Sequence, residues 1–132
     1  MPSLFSRIIS GELPAYKVAE TENYLAFLDI FPLVQGHVLV IPKKETDYIF
    51  DIEDKEFSGL FLFAKQVATA IEKVIKCKRI GIAVIGLEVP HAHIHLVPLQ
   101  SVGDINFDRP KMKPSKDELE KVADKIRTSF NG

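Results

Sequence analysis

The sequence predicts an α+β domain in which a five-stranded antiparallel sheet packs with one long helix and a C-terminal helix. Three observations predict this fold. Short β-rich segments are joined by brief turns, a long helical apolar period fills the middle, and a capped periodic stretch ends the chain. Short connections favour antiparallel pairing because parallel strands need a long crossover. With 132 residues, the chain is expected to form one domain over residues 1–132.

The first half supplies most of the strands. A short helix over residues 4–9 is expected to end at the turn that Ser10 and Gly11 form. Apolar and β-branched runs predict strands over residues 16–20, 24–30, 37–42, 80–85 and 91–98. The last two could pair as a hairpin around residues 86–90.

Two helices complete the pattern. Apolar residues recur at helical spacing at Phe57, Leu60, Phe61, Ala64, Val67, Ala68, Ile71, Val74 and Ile75. Asp54 is the expected N-cap of this helix. The stripe is wide, so it serves either the core alone or a second interface as well. Ser115 and Glu118 form a capping box ahead of a second stripe at Leu119, Val122, Ala123, Ile126 and Phe130.

Composition excludes several classes of function. Apolar residues make up 46% and charged residues 27% of a chain with a formal net charge of -1, so neither a nucleic acid nor an anionic membrane is an expected partner. Cys77 is the only cysteine, which rules out an internal disulfide or a cysteine-built zinc site. No apolar run reaches the ~20 residues of a membrane span, and no signal-peptide pattern opens the chain. A cytoplasmic location is therefore expected.

The chemistry is concentrated in one short segment, His91-Ala92-His93-Ile94-His95. In a strand, alternate side chains share a face, so three imidazoles would point one way. Three histidines are unfavourable as simple core residues, because every buried ring nitrogen needs a hydrogen-bond partner. Two of these histidines could instead bind a metal with help from Glu88 or His37. A neutral imidazole could also attack phosphorus, with its neighbours stabilising the phosphoryl oxygens.

The segment from His91 to Pro98 resembles the His-x-His-x-His signature of the histidine-triad (HIT) family. Residues 25–32 and 35–44 are similar to a second recurrent block of that family, and residues 4–14 to its N-terminal segment. The three blocks occur in order with short gaps, and together they are specific. All four histidines of the chain, His37 included, fall on positions that the family uses.

The resemblance, which is to the Hint-like branch, implies a HIT-like fold, a homodimer and hydrolysis of nucleoside phosphoramidates or related nucleotidyl conjugates without a cofactor. It implies that His93 is the nucleophile, that His95 lies on the phosphate side, and that His91 and His37 support them. Asp29 would bind the ribose hydroxyls of a purine nucleotide. The walls around the base would be Phe5, Ile8, Leu13, Phe27 and Ile30, which are otherwise ordinary core residues.

The sequence departs from the family at two places. Many members hold a structural zinc with a Cys-x-x-Cys pair, a histidine after a Pro-Lys pair and a triad histidine, whereas this chain has Ser3, Ser6 and Glu45 at the first three positions. No metal is therefore expected. Glu88 also differs from the usual residue before the triad. It would either protonate the leaving group after burial raises its pKa, or face solvent or a lysine.

These departures leave other functions open. A dinucleoside polyphosphate hydrolase of the Fhit-like branch, a nucleotide-binding regulatory protein with little turnover, and a zinc-dependent hydrolase are the alternatives to a phosphoramidate hydrolase.

Overall fold

The sheet and its helices follow the predicted order closely. The structure, a computed structural model, describes residues 2–132. Its helices are α1 (Leu4–Ile9), α2 (Asp54–Val74) and α3 (Lys116–Asn131), and its strands are β1 (Lys17–Glu20), β2 (Tyr24–Leu28), β3 (Val38–Pro42), β4 (Arg79–Ala83) and β5 (Ile94–Leu99). Short 3-10 turns cover Ile49–Asp51 and Val102–Ile105. No helix within residues 2–132 is long and apolar enough to cross a bilayer.

The five strands form one antiparallel sheet in the order β1-β2-β3-β5-β4. The predicted pairing of β4 with β5 is confirmed, since Arg79 lies opposite Leu99 and Ala83 opposite His95. The order puts β3 and β5 side by side in the sheet and leaves β4 at a free edge. His37, just before β3, and His95, on β5, are therefore neighbours although they are far apart in the chain.

The two faces of the sheet have different covers. One face packs on α2 and α3 around a large core that includes Val40, Ile94 and Leu96. The other face carries a smaller cluster, Phe5, Ile8, Leu25, Phe27, Leu39 and Ile41, under the short helix α1. The small cover leaves part of this second face available for a binding site.

The start of α2 differs from the expectation. The N-cap is Glu53, whose side chain makes no capping hydrogen bond, and Asp54 is the first helical residue. Asp54 thus acts at most through its charge near the helix N-terminus. Along α2 the buried residues are Leu60, Phe63, Ala64, Val67, Ala70 and Ile71, whereas Phe57 and Phe61 are only partly buried. The wide apolar stripe therefore divides between the core and an open surface.

The remaining helix signals are confirmed. The Ser115 hydroxyl accepts from the amide of Glu118, and the Glu118 carboxylate accepts from the amide of Ser115. Leu119, Val122, Ala123 and Ile126 of α3 are buried, and Phe130 packs against the same core. Strands β1 and β3 begin one residue later than predicted, β2 ends two residues earlier, and β4 begins one residue earlier and ends two residues earlier. The predicted ranges extended into irregular flanking residues.

Candidate functional site

The row of histidines begins before the strand that was expected to carry it. Strand β5 starts at Ile94, so His91 to His93 lie in an irregular approach to the sheet. The expectation of a strand from His91 was wrong because the amide of Ala92 donates to Thr46 O at 2.7 Å and leaves the sheet ladder. Ala92 still joins Ile94 and Leu96 in the main core, and the histidines lie on the opposite side.

His93 is held in one tautomer. Its Nδ1 lies 2.8 Å from the backbone oxygen of His91. A carbonyl can only accept, so Nδ1 carries the proton and Nε2 keeps a lone pair. The ring of Phe5 packs edge-on against it at a centroid distance of 5.0 Å, and His93 is buried. The backbone itself therefore prepares an unprotonated nitrogen on the middle histidine.

His95 is held in the opposite tautomer by a relay. The amide of Leu33 donates to His37 Nδ1 at 3.1 Å, so the proton of His37 is on Nε2. His37 Nε2 then donates to His95 Nδ1 at 3.0 Å, which places the His95 proton on Nε2. The rings of His93 and His95 lie 4.9 Å apart. A lone pair and an N–H donor are thus presented side by side.

Burial keeps the relay uncharged at neutral pH. It lowers the pKa of His37 to about 4 and that of His95 to about 3, with smaller contributions from neighbouring positive groups. Burial also raises the pKa of Asp29, whose Oδ2 lies 3.8 Å from His37 Nε2. The other carboxylate oxygen of Asp29 accepts from the amide of Phe31 at 2.9 Å. At pH 7 His95 is accordingly a neutral hydrogen-bond donor.

His91 has a different environment, because both of its ring nitrogens are occupied. Nε2 donates to Pro42 O at 2.8 Å, and Nδ1 accepts from the Ser3 hydroxyl at 2.7 Å. Glu45 accepts from the Ser3 amide and the Ser6 hydroxyl, and these bonds lower its pKa to about 2. Ser3, Ser6 and Glu45, which stand where many family members have zinc ligands, therefore lie together around His91.

Asp29, His37 and His95 also have the composition of a metal site, with one ligand atom of each within 4.8 Å of the others. Their hydrogen bonds argue against that use. A histidine bound to a metal normally donates its other N–H, whereas the Nδ1 of His37 accepts from Leu33. A metal on Nε2 would leave the His37 ring without a proton. The cluster fits a proton-holding relay better than it fits an ion.

The expected base walls largely converge. Phe5, Ile8 and Phe27 are buried in one cluster and Leu13 packs against it, whereas Ile30 is 48% exposed and belongs to neither cluster. Glu88 is exposed on the loop that joins β4 to β5. Its charge reaches Asp29, where it raises the pKa. The burial on which its acid role depends is absent in the free protein, so only bound substrate could supply it.

Two features near the histidines have no sequence motif, although the sequence leaves residues 102–112 open as a loop that caps either the site or the pocket of a dimer partner. A cavity of about 280 Å³ opens beside His93 and Ala92 and is lined by the aromatic residues Tyr48, Phe50, Phe57 and Phe61. On the other side, Phe107 lies edge-on against His95 at 4.7 Å and against His37 at 6.1 Å. No sequence motif predicts the cavity or the Phe107 contact, because each brings together residues that are far apart in the chain.

The amino-acid sequence is similar to those of known proteins. The HIT domain model matches residues 10–102. An uncharacterised HIT-like protein of Mycoplasma genitalium is 35% identical over 133 residues, covering 97% of this chain and 94% of the relative. The adenosine 5'-monophosphoramidase of Schizosaccharomyces pombe is 35% identical over 100 residues, covering 74% of each.

Solved structures agree with the fold. A Hit-like protein of Bartonella henselae superposes with a TM-score of 0.83 at 27% identity, covering 96% of this chain and 95% of that one. A zinc-bound histidine triad family protein of Mycobacterium smegmatis gives 0.80 at 29% identity, covering 97% and 92%.

The fold and the site together define a domain built around a row of three histidines on the lightly covered face of its sheet. The chain belongs to the HIT family, as the resemblance of its motifs implied. The residues around His91 do not fit the zinc that many members hold, because two hydroxyls and a carboxylate replace the thiolates and imidazole that zinc prefers.

Proposed function

We propose that this chain is a nucleotide hydrolase that cleaves nucleoside phosphoramidates, or related nucleotidyl conjugates, at the α-phosphate through His93. The observation that carries the proposal is the pair of fixed tautomers, a bare Nε2 on His93 next to a proton-bearing Nε2 on His95. Relatives in two yeasts are named adenosine 5'-monophosphoramidases, which supports the reaction class.

The first step would form a covalent intermediate. His93 Nε2 attacks phosphorus, a P–N bond forms to the imidazole, and the bond from phosphorus to the leaving nitrogen breaks. That nitrogen takes a proton from Glu88 or from solvent and leaves as a neutral amine. The proton stays on His93 Nδ1, which goes on donating to His91 O, and the carbonyl stabilises the positive ring that results. His95 Nε2–H donates to a phosphoryl oxygen as negative charge develops there.

The second step would release the nucleotide. Water attacks phosphorus and gives up one proton, which replaces the proton that the leaving amine took in the first step. The bond to His93 Nε2 breaks, and a nucleoside monophosphate leaves while the imidazole returns to its starting tautomer. None of the histidines has to gain or lose a proton in this sequence of steps. The neutral relay from Leu33 through His37 to His95 is consistent with that requirement.

The nucleotide itself would lie on the face under α1. Asp29 has one oxygen free for the ribose hydroxyls, and Phe5, Ile8, Leu13 and Phe27 offer apolar walls to a purine. Ile30 would be covered by the base on binding, which would account for its exposure in the free protein. We assign these residues to nucleotide binding, within a single domain over residues 1–132.

The test is the incubation of the protein with adenosine 5'-phosphoramidate. We expect release of AMP, a nucleotidyl adduct in rapidly quenched samples, and loss of both in His93→Ala, while a chelator has no effect. The variant should still bind AMP by calorimetry, which controls for folding. Affinity for AMP without release would instead indicate a nucleotide-binding regulatory protein. Selective hydrolysis of dinucleoside polyphosphates would indicate the Fhit-like activity.

We also propose that two copies associate through the free edge of the sheet. Strand β4 is an edge strand. Large apolar side chains are exposed on it and on other elements, namely Ile82 at 55% on β4, Phe50 at 70% in the turn Ile49–Asp51, and Leu62 at 62% on α2, a helix that contacts β4. Unpaired apolar edges are rare on monomers. Light scattering should give the mass of a homodimer, and Ile82→Arg should convert it to a monomer.

A further inference from the structure

A covering segment, residues 106–112, closes one side of the histidine row. It follows the 3-10 turn at Val102–Ile105 and is fixed at both ends. From its middle the Arg109 guanidinium reaches back to donate to Gly103 O and pairs with Asp104 at 3.3 Å, and at its start the Asn106 amide donates to Gly103 O. At its end the amide of Met112 donates to Pro32 O at 2.9 Å. The segment is therefore held across the site by bonds on two sides.

His37 and His95 bring no positive charge to the histidine row. His37 and His95 are neutral at pH 7 because burial holds their pKa values at about 4 and about 3, and both nitrogens of His91 are occupied. The bound phosphoryl group is an anion, and Asp29 and Glu88 lie on the same side. An anion bound between neutral donors gains more from a nearby cation than from any further neutral group.

Lys111 is the cation that the covering segment brings to this place. Its Nζ donates to the backbone oxygen of Phe107, the residue whose ring contacts His95, and lies 3.3 Å from Arg109 O. Its charge acts on both His37 and Asp29. Within residues 2–132 it forms no ion pair, whereas Arg7, Lys43 and Arg109 are each paired with a carboxylate.

The two bonds to carbonyls account for two of the three N–H donors of the ammonium. The third is available to a ligand. The ammonium is tied to the carbonyl of Phe107, whose ring contacts His95, and no carboxylate pairs with it in the part of the chain that the structure describes. A lysine held in this way can bind an anion without first breaking an ion pair.

We infer that Lys111 is a substrate-binding residue that supplies the positive charge for the phosphoryl group held between His93 and His95. This inference rests on the proposed function for its substrate, but it concerns binding of the anion and does not require turnover. It also gives the covering segment a role, since that segment places the cation and lays Phe107 against the donor histidine.

The experiment compares the affinities of AMP and adenosine by calorimetry in the full chain and in three variants. Lys111→Met removes the charge and keeps the apolar stem, Lys111→Arg keeps the charge, and Lys113→Met is the control from the same stretch. We expect Lys111→Met to weaken AMP about 10-fold, the scale of a hydrogen bond to a charged group. Adenosine should change less than about twofold. Lys111→Arg should stay near the wild type, and Lys113→Met should match it.

Other outcomes overturn the inference. Equal losses for AMP and adenosine would make Lys111 a structural residue, and no loss for either would remove it from the site. An equal effect of Lys113→Met would reduce the result to general surface charge. Adenosine 3'-monophosphate is the remaining arm, because selective loss of that ligand would assign Lys111 to the ribose side. If the wild type binds AMP but releases none from the phosphoramidate, the proposed hydrolysis fails while these comparisons still decide the role of Lys111.

Discussion

The two ends of the histidine row use the same residue type in contrasting ways. At one end, His91 donates through Nε2 to a backbone carbonyl, and its Nδ1 faces the three positions where many family members have zinc ligands. That is the hydrogen-bond pattern of a metal-bound histidine, but the neighbours are Ser3, Ser6 and Glu45. At the other end, His95 and His37 have metal-binding neighbours, and their nitrogens are committed to a relay that begins at the Leu33 amide.

The contrast teaches that ligand identity and hydrogen-bond direction have to agree before a histidine binds a metal. Here each end satisfies one condition and fails the other. The His91 end is closed, with every nitrogen satisfied by protein, and it serves as an anchor for α1. The His95 end leaves one N–H free for a substrate. The difference lies in what bonds to the second nitrogen of each ring.

The largest expected effect comes from restoring the missing ligands at the His91 end. The triple variant Ser3→Cys, Ser6→Cys, Glu45→His should bind zinc tightly, because His91 Nδ1 already faces these three positions. Structural zinc sites contribute on the order of 10 kcal/mol of apparent binding free energy. Metal analysis of purified, untagged protein should find about one zinc per chain in the variant.

The matched control adds His91→Gln to the triple variant and should lose the zinc. Zinc retained by the wild type would contradict the comparison, since neither end would then be excluded from metal binding. The Asp29, His37 and His95 cluster would be the place to look for it.

At the His95 end the effect should appear in turnover. His95→Asn removes the free N–H donor next to His93 and should lower kcat by roughly 10²–10³-fold, as loss of one oxyanion donor does. His91→Asn should lower kcat much less and should destabilise the fold by about 1–3 kcal/mol, because Ser3 and Pro42 O lose their partner. Steady-state kinetics and urea unfolding measure the two effects. Equal losses of kcat in both variants would remove the distinction between the ends.

The same two ends should lose stability in different pH ranges. The folded pKa of His37 is about 4 and lies below the unfolded value near 6.5. As pH falls below 6.5 the unfolded chain therefore binds protons that the native state refuses, and stability falls until the pH reaches about 4. Full titration of His37 corresponds to roughly 3 kcal/mol. For Glu45, whose folded pKa is about 2, stability is lost below about 4.5 as its bonds to Ser3 and Ser6 break.

Urea unfolding between pH 7 and pH 3 separates these contributions. His37→Gln, which keeps one acceptor and one donor, should reduce the slope between pH 6.5 and pH 4. The remaining slope comes from His95, whose folded pKa of about 3 also lies below its unfolded value. Glu45→Gln should flatten only the lower range. A wild-type stability that does not change between pH 7 and pH 4.5 would show that the relay is charged or exposed, against the structure.

Much of this arrangement was predictable from local sequence. The five strands, the capping box at Ser115 and the alternation of Ala92, Ile94 and Leu96 away from the histidines all follow from periodicity and capping chemistry. The start of β5 was not predictable, because it depends on a bond from Ala92 to Thr46, which is remote in sequence. The helix cap at Glu53 in place of Asp54 is a one-residue error of the kind that local signals often produce.

The parts of the site that the sequence concealed are those made by tertiary contacts alone. The Leu33 amide fixes the tautomer of His37 through a hydrogen bond to Nδ1. A backbone donor of this kind cannot be predicted from a pattern of side chains. Phe107 and Lys111 lie in a stretch without periodicity, and the covering segment is held by a tertiary bond from the Met112 amide to Pro32 O. The ligand-poor His91 end, by contrast, was visible because Ser3, Ser6 and Glu45 stand at positions with a family pattern.

The smallest expected effect concerns Glu88, which lies on neither end of the row. It is exposed in the free protein, so it can act as an acid only if bound substrate buries it. Glu88→Gln should then lower kcat several-fold for phosphoramidates with poor, basic leaving groups and leave those with good leaving groups nearly unchanged, since only a basic nitrogen needs a proton to depart. Rates for a series of leaving groups test this. A uniform loss would assign Glu88 to binding, and no loss would leave it a solvated residue whose charge opposes the phosphate and makes the cation of Lys111 more necessary.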